Sequence, residues 1–288
     1  MAKIKKIKSD STVSMIETPT AADRVVDVIV VLLCALVAFC SVIPMWHVLM
    51  SSISDGKKLL AHEGLVLLPI GDITFKGYLH IFKNDSIVRG YLNAVIYTVA
   101  ATFCGFSLAA VTGYALSRQT KMKPIVSGLI MFTMLFGGGM VPTYLVIKAL
   151  GWVGTRWALI IPGAFGAFGI FLITQVYSYI PDELLEAAKI DGASHLQILL
   201  RIVVPCSKMG IASLVVLSFI DNWNLVEQPI VFLKNTWQYP LSVFLSQINE
   251  SRLDVAFVCG VLAILPTALL YLFMKDALVS GIENASLK

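Results

Sequence analysis

The sequence predicts an all-α, polytopic membrane protein of about six transmembrane helices. Three observations lead there. Of its 288 residues 57% are hydrophobic and only 14% charged, with a mean hydropathy of +0.82, so charge is too sparse to clothe a soluble globule of this size. Apolar runs recur along the whole chain, each near the ~20 residues that a helix needs to cross a ~30 Å hydrocarbon core. Basic residues cluster in particular connections, which fixes an orientation by the positive-inside rule.

The chain opens with a tail, 1–22, that mixes Lys3, Lys5, Lys6 and Lys8 with Ser and Thr and lacks apolar periodicity. It reads as a disordered cytoplasmic segment ahead of a transmembrane domain over 23–288. Span one, Val28 to Ser54, is long enough to cross and lacks the small-residue cleavage pattern of a signal peptide; Pro44 lies inside it and Trp46 near its outer interface. The connection from Asp55 to Arg89 has mixed charge and belongs outside, with a turn at Pro69-Ile70-Gly71-Asp72 and a short helix from Thr74 to Phe82. Span two, Gly90 to Ser117, holds no charged residue, and Gly105, Ala109 and Gly113 form a stripe suited to close helix packing.

Arg118, Lys121 and Lys123 follow with no acid among them, which places this loop and both termini in the cytoplasm. Span three, Pro124 to Ile147, is interrupted by Gly137-Gly138-Gly139 and Pro142, so a kinked or unwound segment is expected. Lys148 to Arg156 is an outer turn. Span four, Trp157 to Ile180, carries Gly163, Gly166 and Gly169, which allow close packing or bending. Span five runs from Met209 past Asp221-Asn222-Trp223-Asn224 toward Leu233; span six is Val255 to Met274, with Lys275 to Lys288 as a cytoplasmic tail.

Between spans four and five lies the segment Pro181–Pro205, PDELLEAAKIDGASHLQILLRIVVP. Pro181 and Asp182 start a helix, with Glu183 and Glu186 near the positive end of its dipole. It stops at Asp191-Gly192, where glycine can take the left-handed conformation of a C-cap. A second helix follows from Ser194 to Val204, with Leu196, Leu199, Leu200 and Val203 at helical spacing, closed by Pro205. Ala187 and Ala188 give the pair a small-residue face where another protein could approach closely.

Glu186-Ala187-Ala188, three residues, Gly192, nine residues, Ile202, two residues and Pro205 together resemble the EAA loop of the membrane subunits of bacterial ATP-binding-cassette importers. Val204 stands where that pattern usually has Leu, a near-isosteric change. Further stretches are similar to the carbohydrate branch of these permeases: Ile16-Glu17-Thr18-Pro19, Gly90-Tyr91-Leu92-Asn93, Leu116-Ser117-Arg118, Phe132 to Leu145, Trp157 to Gly163 and Trp223-Asn224. More narrowly they resemble the smaller permease subunits of lipo-oligosaccharide or aldouronate uptake systems, and more distantly that of maltose importers. Leu278 to Glu283 departs from the branch in lacking a basic residue before Gly281.

The resemblance implies a type I importer transmembrane fold and a coupling loop over 181–205 that seats on an ATPase. Its coupling residues would be Glu183, Glu186, Ala187, Ala188, Asp191, Gly192, Ala193, Ile202 and Pro205. It also implies a second permease subunit, a pair of ATP-binding subunits that hold ATP and Mg, and an extracellular solute-binding protein that delivers an oligosaccharide. The chain itself would need no cofactor.

Other classes are poorly supported. No Walker A loop, H-E-x-x-H or C-x-x-C occurs, and His47, His62, His80 and His195 are scattered and unpaired with carboxylates at useful spacing, so the chain is not expected to be an enzyme or to hold a metal. The five cysteines lie in or beside apolar runs, and a net charge of +4 is too small to suggest nucleic acid. A secondary transporter or channel without an ATPase is the alternative; it would need neither a coupling loop nor its fixed spacing. Asp221, Asn222, Trp223 and Asn224 are the candidate passage or substrate residues, because a carboxylate within a span needs water or a partner. An interhelical bond or a helix break is the competing reading of the same four.

Overall fold

The computed structural model describes residues 21–118, 121–247 and 253–286, and among these every regular element is helical. The expected disorder of the N-terminal tail falls almost wholly outside them. They form two compact units, Met1–His47 and Val48–Lys288. The first holds most of helix α1 (Ala21–Ser52), which continues through Pro44 and exposes its apolar residues from Val25 to Val42.

In the second unit, α2 (Gly56–Leu60) and α3 (Lys76–Lys83) lie in the connection before α4 (Asp85–Ser117). At about 1.5 Å per residue α4 is roughly 50 Å long, and it is the axis of the fold. Its first half packs into two clusters, one around Ile87, Ala94 and Trp223, the other around Tyr97, Leu159 and Phe232. Its second half enters a third around Ala109, Ile173, Tyr177 and Val203. The small-residue stripe makes close approach possible: a Cβ on Gly105 would stand 3.1 Å from the Ala164 carbonyl oxygen, and one on Gly113 would stand 2.7 Å from Ile173 Cγ2.

Three expected spans differ from simple rods. Span three is two helices, α5 (Lys123–Leu135) and α6 (Met140–Ala149), that meet at 118°. The chain turns at Gly139, whose φ of +81° is left-handed and open to glycine without strain. Span four is α7 (Trp157–Ala164) and α8 (Ala167–Ser178), interrupted at Phe165-Gly166.

The second arm of the coupling stretch comprises α10 (His195–Ile198), a π turn (Leu199–Val203) and α11 (Val204–Cys206). Pro205 does not close it, contrary to expectation. Lacking an N–H, Pro205 cannot donate to the Arg201 carbonyl, and just ahead of it the helix has widened, with Val204 N–H bonding the Leu199 carbonyl. The chain turns two residues later, at buried Ser207, by 86° into α12 (Lys208–Trp223).

Span five ends at Trp223 and does not continue toward Leu233. Asn222 and Asn224 side-chain amides take the carbonyls of Ser218 and Ile220. Pro229 has no N–H to offer the Leu225 carbonyl, which Ser242 Oγ bonds instead. The chain turns into short helices, α13 (Glu227–Phe232), a 3-10 turn (Thr236–Gln238) and α14 (Leu241–Gln247), before α15 (Leu253–Ser286). By length and composition, four helices among the described residues can cross a membrane, or up to six if each bent pair makes one span.

Candidate functional site: a coupling surface and a transmembrane cleft

The coupling stretch is a helix–turn–helix built from local signals. Helix α9 (Asp182–Ile190) begins after Pro181, with Asp182 and Glu183 in its first turn and Lys189 in its last, each charge opposing the nearer end of the helix dipole. The turn is closed by Asp191 N–H to the Ala187 carbonyl, Gly192 N–H to Lys189 and Ala193 N–H to Ala188, all at 3.0 Å. Gly192 has φ +82°, and a Cβ there would meet nothing within 4 Å, so handedness and not space demands glycine. Ser194 then starts the second arm with a capping box: its N–H donates to Gln197 Oε1 at 2.8 Å, and its Oγ accepts from Gln197 N–H at 3.4 Å.

The two arms divide their residues between core and surface. Leu185, Ile198, Leu199 and Val203 are buried with Ile173 and Tyr177 of α8 and Leu214 of α12, while Ala188, Ala193 and Ile202 pack against them half-buried. Glu183, Glu186, Ala187, Asp191, Gly192 and Pro205 are exposed. Only Ala187 of the small-residue pair therefore lies on the open face. Ile190, Leu196 and Leu184 are exposed as well, so that face mixes apolar side chains with carboxylates. Among the described residues Glu186 has no partner within the chain.

Sequence reasoning assigned Arg118 to topology alone, but it ties α4 to this stretch. Its Nη1 donates to Asp182 Oδ1 at 2.7 Å and its Nη2 to the Tyr177 carbonyl at 2.9 Å. Its guanidinium also lies 5.9 Å from the centre of the Tyr114 ring. Tyr114 OH in turn is 3.3 Å from His195 Nδ1 on the second arm. The signal that could have found this is an aromatic and a cation four residues apart at a helix end, on one face.

Further along, α4, α7, α8 and α12 enclose a cleft of about 180 Å³, lined by Gly105, Ala109, Gly163, Phe168, Ser218 and Asp221 among others. Of the four passage candidates, Asp221 and Asn222 line it, and Trp223 and Asn224 do not. Asp221 is exposed and lines the cleft. Asn222 lines it too but is buried, its Nδ2 donating to Ser218 and Gly163 carbonyls, and a side chain at Gly163 would overlap its Oδ1. Trp223 is buried, with Nε1–H bonded to the Ala263 carbonyl at 3.0 Å and its ring stacked on Phe219 and edge-on to Tyr91. Asn224 is exposed at the end of α12.

Residues 99–284, which include the coupling stretch and the cleft, match the family of binding-protein-dependent transport system inner membrane components. The chain belongs to this family. Within it, the chain is similar to carbohydrate permeases of ATP-binding-cassette importers. It is 30% identical to the polygalacturonan/rhamnogalacturonan transport system permease protein YtcP of Bacillus subtilis, over 92% of this chain and 99% of that one. It is 29% identical to Protein LplC of the same organism, over 93% and 97%. A solved chain from a bacterial ABC transporter involved in import of the acidic polysaccharide alginate superposes with a TM-score of 0.79 at 27% identity, covering 89% of this chain and 98% of that one. These likenesses agree with the resemblance drawn from the coupling motif, and with an integral membrane protein of the type I importer fold.

Proposed function

We propose that this chain is the transmembrane permease subunit of an ATP-driven, binding-protein-dependent importer of an oligosaccharide, in the bacterial cytoplasmic membrane with both termini inside. It pairs with a second permease subunit to form a heterodimer. Two ATP-binding subunits hold ATP and Mg and perform the hydrolysis, and an extracellular solute-binding protein delivers the sugar. Relatives bear names that refer to polygalacturonan/rhamnogalacturonan or to melibiose, raffinose and stachyose, and a solved relative imports alginate, all of which supports a saccharide cargo.

The observation that carries the reading is the core shared by the coupling stretch and the membrane helices. Leu185 of α9 and Ile198, Leu199 and Val203 of the second arm lie in one cluster with α8 and α12. Closely packed interiors transmit displacement as rigid bodies, so closure of the ATPase pair beneath the exposed face of α9 moves these helices together and changes which side the cleft opens to. Asp221 and Asn224 are the groups placed to meet sugar hydroxyls or the partner permease, with Asn222 and Trp223 holding the helix end that presents them.

Co-purification with the neighbouring gene products, followed by ligand-stimulated ATPase assays in lipid, tests the assignment. Absence of any ATPase partner overturns it. Orientation has its own test. Glu63, in the connection expected outside, and Lys121, in the loop expected inside, are both exposed and suit labelling. In a cysteine-free background, an impermeant reagent on intact cells should label Glu63→Cys and not Lys121→Cys; the reverse pattern inverts the topology.

A further inference from the structure

Helices α8 and α12 are joined to the coupling stretch through the chain, but α4 is not. It meets both arms in the shared core through Ala109, and its end adds a polar link, where Tyr114 and Arg118 share a face and reach different arms. Arg118 holds Asp182 at the start of α9 and the Tyr177 carbonyl at the end of α8; Tyr114 meets His195 at the start of the second arm. Arg118 is only 20% exposed against 70% for Asp182, so the ion pair has one well-fixed member. Helix α9 needs such fixing. It has nine residues, too few for a stable isolated helix, and Leu185 is its one buried side chain. In the same half of α4, Gly105 and Ala109 border the cleft.

We propose that Arg118, supported by Tyr114, is a positioning residue that locks the end of α4 to both arms, so that α4, which already shares their core, follows displacement of the coupling stretch in a single geometry and carries it to the α4 wall of the cleft. The proposal rests on the reading that the exposed face of α9 seats on an ATPase. An exposed ion pair contributes little to stability by itself, and the function of this one is geometric: it fixes how the end of α4 sits on the coupling stretch.

The test uses the complete transporter in lipid, with paired spin labels at exposed Val111 of α4 and Ile220 of α12, and a control pair at exposed Phe168 of α8 and Ile220. A single label at Ile190, 86% exposed, reports seating on the ATPase through its loss of mobility when the complex is trapped with ATP and vanadate. In the unmodified protein the Ile190 label should respond, while the Val111–Ile220 distance should be the same in resting and trapped states. With Asp182→Asn or Arg118→Gln, trapping should shift and broaden the Val111–Ile220 distance and leave the control pair unchanged; Asp182→Glu should restore the single distance.

If Arg118→Gln fails to assemble, Asp182→Asn, at a mostly exposed site, decides the matter alone. An unchanged Val111–Ile220 distance in Asp182→Asn, with the Ile190 label responding, overturns the proposal while leaving the coupling reading intact. An Ile190 label that never responds in the unmodified complex overturns the coupling reading, and this inference with it.

Discussion

The coupling stretch and the corner at Asp221–Asn224 lie at opposite ends of α12, and they treat their marked residues differently. In the coupling stretch the polar residues of the motif, Glu183, Glu186 and Asp191, all stay on the surface, and the core is made by Leu185 and by the apolar residues of the second arm. At the corner two neighbours are drawn inward: Asn222 and Trp223 are buried and bonded to Gly163 and Ala263 carbonyls, while Asp221 and Asn224 remain exposed. A motif on a surface helix can keep its pattern for a partner. Polar residues at a helix end inside the bilayer are first required to satisfy backbone groups, because no water is there to do so.

The largest effect should come from the inward side of the corner. Trp223→Ala removes a buried ring together with its bond to Ala263, and should lower the stability of the purified complex by about 3 kcal/mol or more, as seen in thermal unfolding and in the amount recovered from membranes. Unchanged stability would mean that the indole is free for a ligand, and the contrast between the two regions would collapse.

Within the coupling stretch, Gly192→Asp should cost about 1 kcal/mol through the left-handed turn alone, since no neighbour stands in the way of a side chain. Membrane insertion should be normal, with sugar-stimulated hydrolysis reduced because the two arms no longer meet at the same angle. Hydrolysis equal to that of the unmodified transporter would show that the turn tolerates either hand. Glu186→Ala should change stability by less than ~0.5 kcal/mol, as expected of an exposed side chain with no partner in the chain, yet weaken retention of the ATPase subunits during purification. Full retention with coupled hydrolysis would falsify its role in docking.

The coupling stretch was legible almost to the residue because its determinants are local: Pro181, Asp182, the Asp191-Gly192 turn and Ser194 all act within one helical turn of their position. Pro205 misled, because its missing N–H was accommodated by a π turn upstream, and the packing of Leu199 and Val203 carries the helix on to Cys206. The outer region after Trp223 was not legible. Apolar residues from Leu225 to Leu233 look like more of span five, but Ser242 Oγ bonds the Leu225 carbonyl, and the segment that follows is held to α4 by distant bonds: Asn93 Nδ2 to the Trp237 carbonyl at 2.8 Å and Tyr97 OH to the Gln238 carbonyl at 3.0 Å. Such bonds join residues more than a hundred positions apart and leave no periodic trace in sequence. The triple glycine did mark a break, but its angle is set by non-helical residues 136–139, left-handed Gly139 among them, and composition cannot distinguish a kink from a turn of 118°.

The smallest effect on stability, and the one that bears most on transport, belongs to Asp221. Helix α12 has sixteen residues, about 24 Å at 1.5 Å per residue, and Asp221 lies in its last turn beside Asn222 on the wall of the cleft. An ionised carboxylate facing lipid at that depth would cost about 2.5 to 3.5 kcal/mol on insertion scales, whereas one facing a cleft keeps water and remains free to accept hydrogen bonds from sugar hydroxyls or from the partner permease. Asp221→Asn keeps the shape and removes the charge. Because Asp221 anchors nothing within the described residues, the variant should assemble normally and unfold within ~0.5 kcal/mol of the parent. Transport of the cognate sugar should fall, since a charge-assisted hydrogen bond is about twice as strong as a neutral one. Equal transport by parent and variant removes Asp221 from the passage, and loss of assembly in Asp221→Asn as well as Trp223→Ala makes the whole corner structural.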